Sequence, residues 1–203
     1  ERSTAGSGGV IITVLSPLFT FVLSGLILSF SYEKKQYVGL FIGVIGGAIM
    51  LNVQDPHDFF QGGEFYFILS AMTWAGITML AQRSHSHIHP VHYSFFIASF
   101  SMIILFFVNL FNEISVVFEQ DLKFWLALLY LGVLGQTVAT TIYFIASGKL
   151  GSSKASSFMF LVPLFALIVS YAVLDEAIQM HVVIGGCISL LSVYLINKTR
   201  SKA

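Results

Sequence analysis

Gly132, Gln136, Thr140, Tyr143 and Ser147 follow one another at spacings of four, four, three and four inside an otherwise apolar run. Such spacing sets them along one face of a helix. A carboxamide, two aliphatic hydroxyls and a phenol in a row offer hydrogen-bond donors and acceptors to a polar solute. Ser70, Trp74 and Thr78 form a second row at spacings of four, and the indole adds an aromatic wall. The chemistry on offer is recognition by hydrogen bonding and stacking. The competing use is as glue between membrane helices, where Ser, Thr and Gln contribute about 0.6 to 2 kcal/mol each. Polar groups within a membrane face an interior, and on that ground Trp74, Gln136, Thr140 and Tyr143 are expected to line a cavity.

The other reactive residue types carry less. His85, His87, His89 and His92 crowd into "RSHSHIHPVHY" and have imidazole nitrogens suited to zinc or nickel. Alternating histidines in an exposed loop lack a fixed geometry, so no metal site is assigned. His57 and His181 stand alone near segment ends. Cys187 is the single cysteine, which excludes an intramolecular disulfide. The serine of "ASGKLG" sits at a membrane edge without a base, and four loop histidines fall short of a desaturase cluster. Neither an enzyme nor a cofactor is expected.

The elements that must position these residues follow from composition. Of 203 residues, 56% are hydrophobic and 10% charged, where soluble domains carry about 25% charged residues. Seven segments reach the roughly 17 to 25 apolar residues of a membrane helix: about 9–30, 36–52, 64–82, 92–111, 122–147, 155–174 and 179–197. The run lengths call for helices rather than a barrel, so the fold class is an all-α polytopic membrane protein. No Asp, Glu, Lys or Arg lies in the middle of any segment, where a charge costs roughly 2.5 to 3.5 kcal/mol. A neutral or zwitterionic solute therefore fits better than an organic cation. Net charge is zero, which gives no footing for a nucleic-acid partner.

Cytoplasmic loops are enriched in Lys and Arg. Placing Lys198, Arg200 and Lys202 inside and alternating backwards also puts Lys149, Lys154, Arg83, Lys34 and Lys35 inside. Only Arg2 and Lys123 remain outside. The C-terminus is thus predicted to be cytoplasmic and the protein to sit in the cytoplasmic membrane.

"LSPLF" at Leu15 and "LVPLF" at Leu161 expose an internal repeat. A shift of 146 aligns Leu15 with Leu161, Pro17 with Pro163, Leu18 with Leu164, Phe19 with Phe165, Ser24 with Ser170, Leu28 with Leu174, Gly39 with Gly185 and Ile42 with Ile188. Eight identities over 28 positions exceed the roughly two or three expected by chance. The shift spans an odd number of helices, so the copies are inverted, as in secondary transporters. Pro17 and Pro163 are then predicted to kink matched helices beside the substrate cavity. Gly39, Gly43, Gly47 and Gly185 form small-residue steps that let backbones approach; packing within one molecule and a homodimer seam both remain open. Residues 1–52 read as the last two helices of the first copy, 62–198 as a complete second copy and 199–203 as a cytoplasmic tail. At the same offset the first copy would begin roughly 84 residues before Glu1, room for three more helices.

The two Pro-Leu-Phe helices, the Gly-led helices "YVGLFIGVIGGAIML" and "HVVIGGCISLLSVYLI", and the opening "GGEFYFILSAMTWAGITMLAQR" resemble the EamA-type branch of the drug/metabolite transporter superfamily. The resemblance implies a ten-helix carrier of two inverted five-helix repeats, of which this chain holds seven helices. It also implies export or exchange of small metabolites, amino acids or drugs through a cavity between the repeats. Two other readings stand beside it. A heptahelical receptor would leave the repeat unexplained, and a retinal protein would need a lysine in the last span, which has none before Lys198. The other is a truncated carrier without activity.

Overall fold

The computed structural model describes residues 5–51, 64–110, 115–174 and 180–198. In chain order these form α1 (Ala5–Ile27), α2 (Lys34–Leu51), α3 (Glu64–Ser84), α4 (Pro90–Val108), a short α5 (Ser115–Phe118) and α6 (Leu122–Tyr130). A π-helical stretch (Leu131–Ala139) joins α6 to α7 (Thr140–Leu150). There follow α8 (Ser152–Ser157), a 3-10 turn (Phe158–Leu161), α9 (Val162–Leu174) and α10 (Met180–Lys198). Five rods are long and apolar enough to cross a membrane, namely Phe65–Ser84, Pro90–Val108, Leu122–Leu150, Ser152–Val169 and Met180–Lys198. The chain is a multi-pass integral membrane protein. The first of the seven expected segments contains a shorter apolar stretch, Ile11–Ile27, within α1, and the second is α2. Residues 199–203 and the junction at 52–63 lie outside the described residues.

Small residues decide how the rods pack. A side chain at Gly39 would meet Ile196, Leu195 and the Ser192 carbonyl; at Gly43, Phe160 and Ser192 Oγ; at Gly46, Ser189 and the Gly185 carbonyl. Contacts that descend α10 while ascending α2 mean the two helices run antiparallel. Their backbones come close enough for Ser192 Oγ to donate to the Gly39 carbonyl at 2.6 Å. Gly47 abuts Val14 of α1, and Gly185 meets Gly46 and Met50. The predicted glycine steps are therefore spent inside the molecule, and the homodimer seam drawn through them is occupied by the chain's own helices.

The α2–α10 contacts are also reciprocal. Under the shift of 146, Gly39 corresponds to Gly185, Gly43 to Ser189, Gly46 to Ser192 and Met50 to Ile196. Gly39 meets Ser192 and Ile196, while Gly185 meets Gly46 and Met50; Gly43 meets Ser192, while Gly46 meets Ser189. Each contact has its partner with the roles exchanged, the pattern of an isologous two-fold interface. The buried cluster of Val14, Phe21, Leu40, Phe160, Val193 and Ile196 extends along this seam.

The two prolines differ in setting. Pro17 lies buried in the middle of α1, with Ser16 Oγ donating to the Ile12 carbonyl at 2.6 Å and Thr20 Oγ1 to the Ser16 carbonyl at 2.7 Å. Pro163 is the second residue of α9, after the 3-10 turn. The helix runs on through that turn, with the Val162 amide donating to the Met159 carbonyl, so at Pro163 the next such bond is missing. The chain tightens to 3-10 geometry immediately before Pro163, inside the Ser152–Val169 rod.

The ends of α1, α3, α7 and α10 and the starts of α2, α4 and α8 converge. Ser24 bonds to Ser152, Tyr32 to Ser153, and Asn197 to Ser157, while Gly148 packs on His85. Lys34, Lys35, Arg83, Lys149, Lys154 and Lys198 all belong to these ends. The fold thus gathers the predicted basic residues at one end of the bundle; Arg2, Arg200 and Lys202 are outside the described residues.

Candidate membrane cavity

Residues 131–139 wind as a π-helix, with i to i+5 bonding and slower rotation per residue than an α-helix. The single polar face expected over Gly132 to Ser147 is split. Tyr143 and Ser147 turn toward α3, whereas Gln136 and Thr140 face a cleft against α4. Within α7 the step of three residues from Thr140 to Tyr143 already turns the two apart by about 60°, and the slower rotation of the π-helix carries Gln136 further from the Tyr143 side, which a count based on 3.6 residues per turn could not reveal.

On the α3 side, the rings of Trp74 and Tyr143 lie 5.5 Å apart. Thr78 Oγ1 donates to the Trp74 carbonyl at 2.8 Å. Its proton is thereby committed, so in the 3.2 Å contact with Tyr143 the phenol is the donor. Met159 Sδ competes for the same phenolic proton at 3.7 Å. Ser147 Oγ donates to the Thr78 carbonyl at 2.8 Å, and Tyr93 OH to the Ile77 carbonyl at 2.8 Å. Among the described residues the indole Nε1 of Trp74 is buried without a hydrogen-bond partner. Ser70, expected beside Trp74, is exposed and bonds back to the Tyr66 carbonyl.

Across α7, a cleft of about 230 Å³ is lined by Ser94 and Phe95 of α4 and by Gln136, Thr140, Thr141 and Phe144, among others. Thr141 Oγ1 donates to Ser94 Oγ at 2.9 Å. The π-helix turns its own carbonyls toward nearby hydroxyls: Thr137 Oγ1 reaches the Gly132 carbonyl at 2.9 Å and Thr140 Oγ1 the Gly135 carbonyl at 3.3 Å. The Gln136 carboxamide is exposed in the cleft and has no hydrogen-bond partner among the described residues. It stands midway along the Leu122–Leu150 span. No group of three or more His, Cys, Asp or Glu among the described residues could hold a metal ion.

Phe144 is the wall between the two parts. Buried, it lines the cleft and lies 6.1 Å from Trp74, 5.1 Å from Tyr93 and 6.0 Å from Tyr143. Phe144, Tyr93 and Met159 escaped the sequence reading because nothing distinguishes one apolar or aromatic residue from twenty phenylalanines. Replacing Tyr143 with phenylalanine removes the proton shared by Thr78 and Met159. Thermal unfolding in detergent should show a loss of about 1 kcal/mol with normal membrane abundance; disappearance from the membrane would instead make the phenol essential to α3–α7 assembly.

A bundle of membrane-length helices with uncommitted polar groups at bilayer depth has the features of a membrane transporter. The chain belongs to the EamA-like transporter family, whose family model matches residues 61–198. It is 29% identical over 208 residues to a chloroplastic WAT1-related protein of Arabidopsis thaliana, with 97% of this chain and 49% of that protein covered. An uncharacterized transporter of Synechocystis is 27% identical, with 98% and 64% covered. The uncharacterized transporter YyaM of Bacillus subtilis is 25% identical, with 95% and 64% covered. The chain thus spans about half to two thirds of the length of these relatives. A solved crystal structure shares the fold at a TM-score of 0.75 and 16% identity, over 95% of this chain and 67% of that one.

Proposed function

We propose that this chain is part of a secondary transporter that moves a small neutral or zwitterionic solute by alternating access, in the direction of export. The observation that carries the reading is the uncommitted Gln136 carboxamide at mid-span. A Gln facing hydrocarbon would leave its donors and acceptors unmet at a cost of several kcal/mol, so water or solute must reach it. Trp74, Tyr143 and Thr140 complete the site around Phe144, and Pro17 and the turn before Pro163 let the flanking helices bend beside it. The reciprocal α2–α10 seam supports an inverted repeat, and hence a ten-helix carrier with residues 62–198 as its second copy. The basic end faces the cytoplasm by the charge rule for membrane loops, in the cytoplasmic membrane. A sensor would not need a solvated carboxamide in a cleft between helices.

The test is flux. Protein in its full-length natural context, reconstituted in vesicles loaded with a mixture of neutral and zwitterionic metabolites, should release some of them faster than protein-free vesicles. Equal loss of every solute, read by mass spectrometry, would refute the assignment.

A further inference from the structure

Away from the cavity, the basic end contains a partly buried polar knot built from three separate segments. Ser24 of α1, Tyr32 in the α1–α2 turn, Gln82 near the end of α3, and Ser152 and Ser153 at the start of α8 meet there. Ser152 Oγ and Ser152 N–H both donate to Gln82 Oε1, at 2.6 and 2.7 Å. Because the Ser152 proton is committed to that carbonyl, Ser24 Oγ is the donor in its 2.7 Å contact with Ser152 Oγ. Tyr32 OH and Ser153 Oγ lie 2.6 Å apart. Burial raises the Tyr32 phenol above its ordinary pKa, so it stays neutral. Gly151, at φ 94°, makes the turn that presents Ser152 and Ser153, a conformation open to glycine and strained for other residues.

These bonds fall into two classes. Gln82–Ser152 lies within the second copy of the repeat. Ser24–Ser152 and Tyr32–Ser153 join the first copy to the second. A void of about 10 Å³, bordered by Tyr32, Gln36, Gln82, Ser153 and Lys154, adjoins them; this is about the room one water requires. The knot's bonds among the described residues are all between neutral groups. Each link is a neutral hydrogen bond that biases an equilibrium by about fivefold, firm enough to hold a closed state and weak enough to break in every cycle.

We propose that this knot is the closure of the carrier at its basic end: Ser24–Ser152 and Tyr32–Ser153 part each time the cavity opens to that side, while Gln82 holds Ser152 in position to close it again. The inference rests on the alternating-access reading above. As the links part, a water entering from the adjoining void satisfies the freed hydroxyls.

The experiment places a reporter cysteine by Thr140→Cys within the full-length protein, with Cys187 and any cysteine elsewhere in it changed to serine, in vesicles of known sidedness. A membrane-impermeant maleimide then reads access from each side. Tyr32→Phe and Ser24→Ala should each raise the labelling rate from the basic side by about fivefold, and by about 25-fold together, while labelling from the opposite side falls. Ser156→Ala, which removes a bond within α8 itself at 3.1 Å, should leave both rates unchanged. Rates unaltered by Tyr32→Phe and Ser24→Ala, or rising equally from both sides, overturn the closure while leaving transport intact. No labelling from either side in any variant overturns alternating access and the closure with it. Tyr32→Phe removes a single oxygen and keeps the test decisive if the double variant fails to reach the membrane.

Discussion

Gly46→Val is expected to strip the protein from the membrane fraction. A side chain at this position would stand 2.7 Å from Ser189 Oγ, 2.8 Å from the Gly185 carbonyl and 3.1 Å from the Ser189 amide. Two of those three atoms are backbone and cannot swing aside. Relief requires α2 and α10 to separate, which also breaks the bond from Ser192 to the Gly39 carbonyl. Overpacking costs about 1 to 3 kcal/mol when side chains can adjust, and a backbone clash places this substitution at or above the upper limit. Gly76→Ala is the control, because nothing lies within 4 Å of an added carbon there. Fluorescence-detected size exclusion of both variants measures the contrast; a monodisperse Gly46→Val protein at normal abundance would show that the two helices do not pack as closely as described.

The largest functional effect is expected at Gln136. Gln136→Leu keeps the size of the side chain and removes its amide, so flux of whichever solute the vesicle screen identifies should fall about tenfold through the loss of hydrogen bonding. Thr137→Val should change flux little. Its hydroxyl is already engaged with the Gly132 carbonyl, so it has no proton left to offer the solute. Equal effects at the two positions would assign the cleft to helix packing rather than to solute binding.

The all-helical class, several helix limits and the gathering of basic residues at one end were legible in the sequence because each depends on local composition, whereas five rods rather than the expected seven segments reach membrane length and apolarity. The run from 64 to 82 became α3 at Glu64–Ser84, and that from 179 to 197 became α10 at Met180–Lys198. Gly39, Gly43 and Gly185, which stand out in the sequence as small residues of membrane helices, lie where α2 meets α10. What stayed hidden depends on helix phase and long-range contact. The π-helix over Leu131–Ala139 carries no sequence mark in this chain, yet it moves Gln136 away from Tyr143. The knot at Ser152 was invisible for a different reason: its five side chains come from three segments separated by as many as 128 residues, and serines in a polar turn read as solvated.

The exchange symmetry of the α2–α10 seam also constrains how the gene can change. A residue on one helix meets the counterpart of its neighbour on the other, so a larger side chain at Gly46 confronts Gly185 and Ser189, and one at Ser192 confronts Gly39 and Gly43. A substitution tolerated on one helix therefore demands a compensating reduction on its twin. Helices α4 and α6, which expose most of their surface, are free of this constraint, but along the seam α2 and α10 must change as a pair.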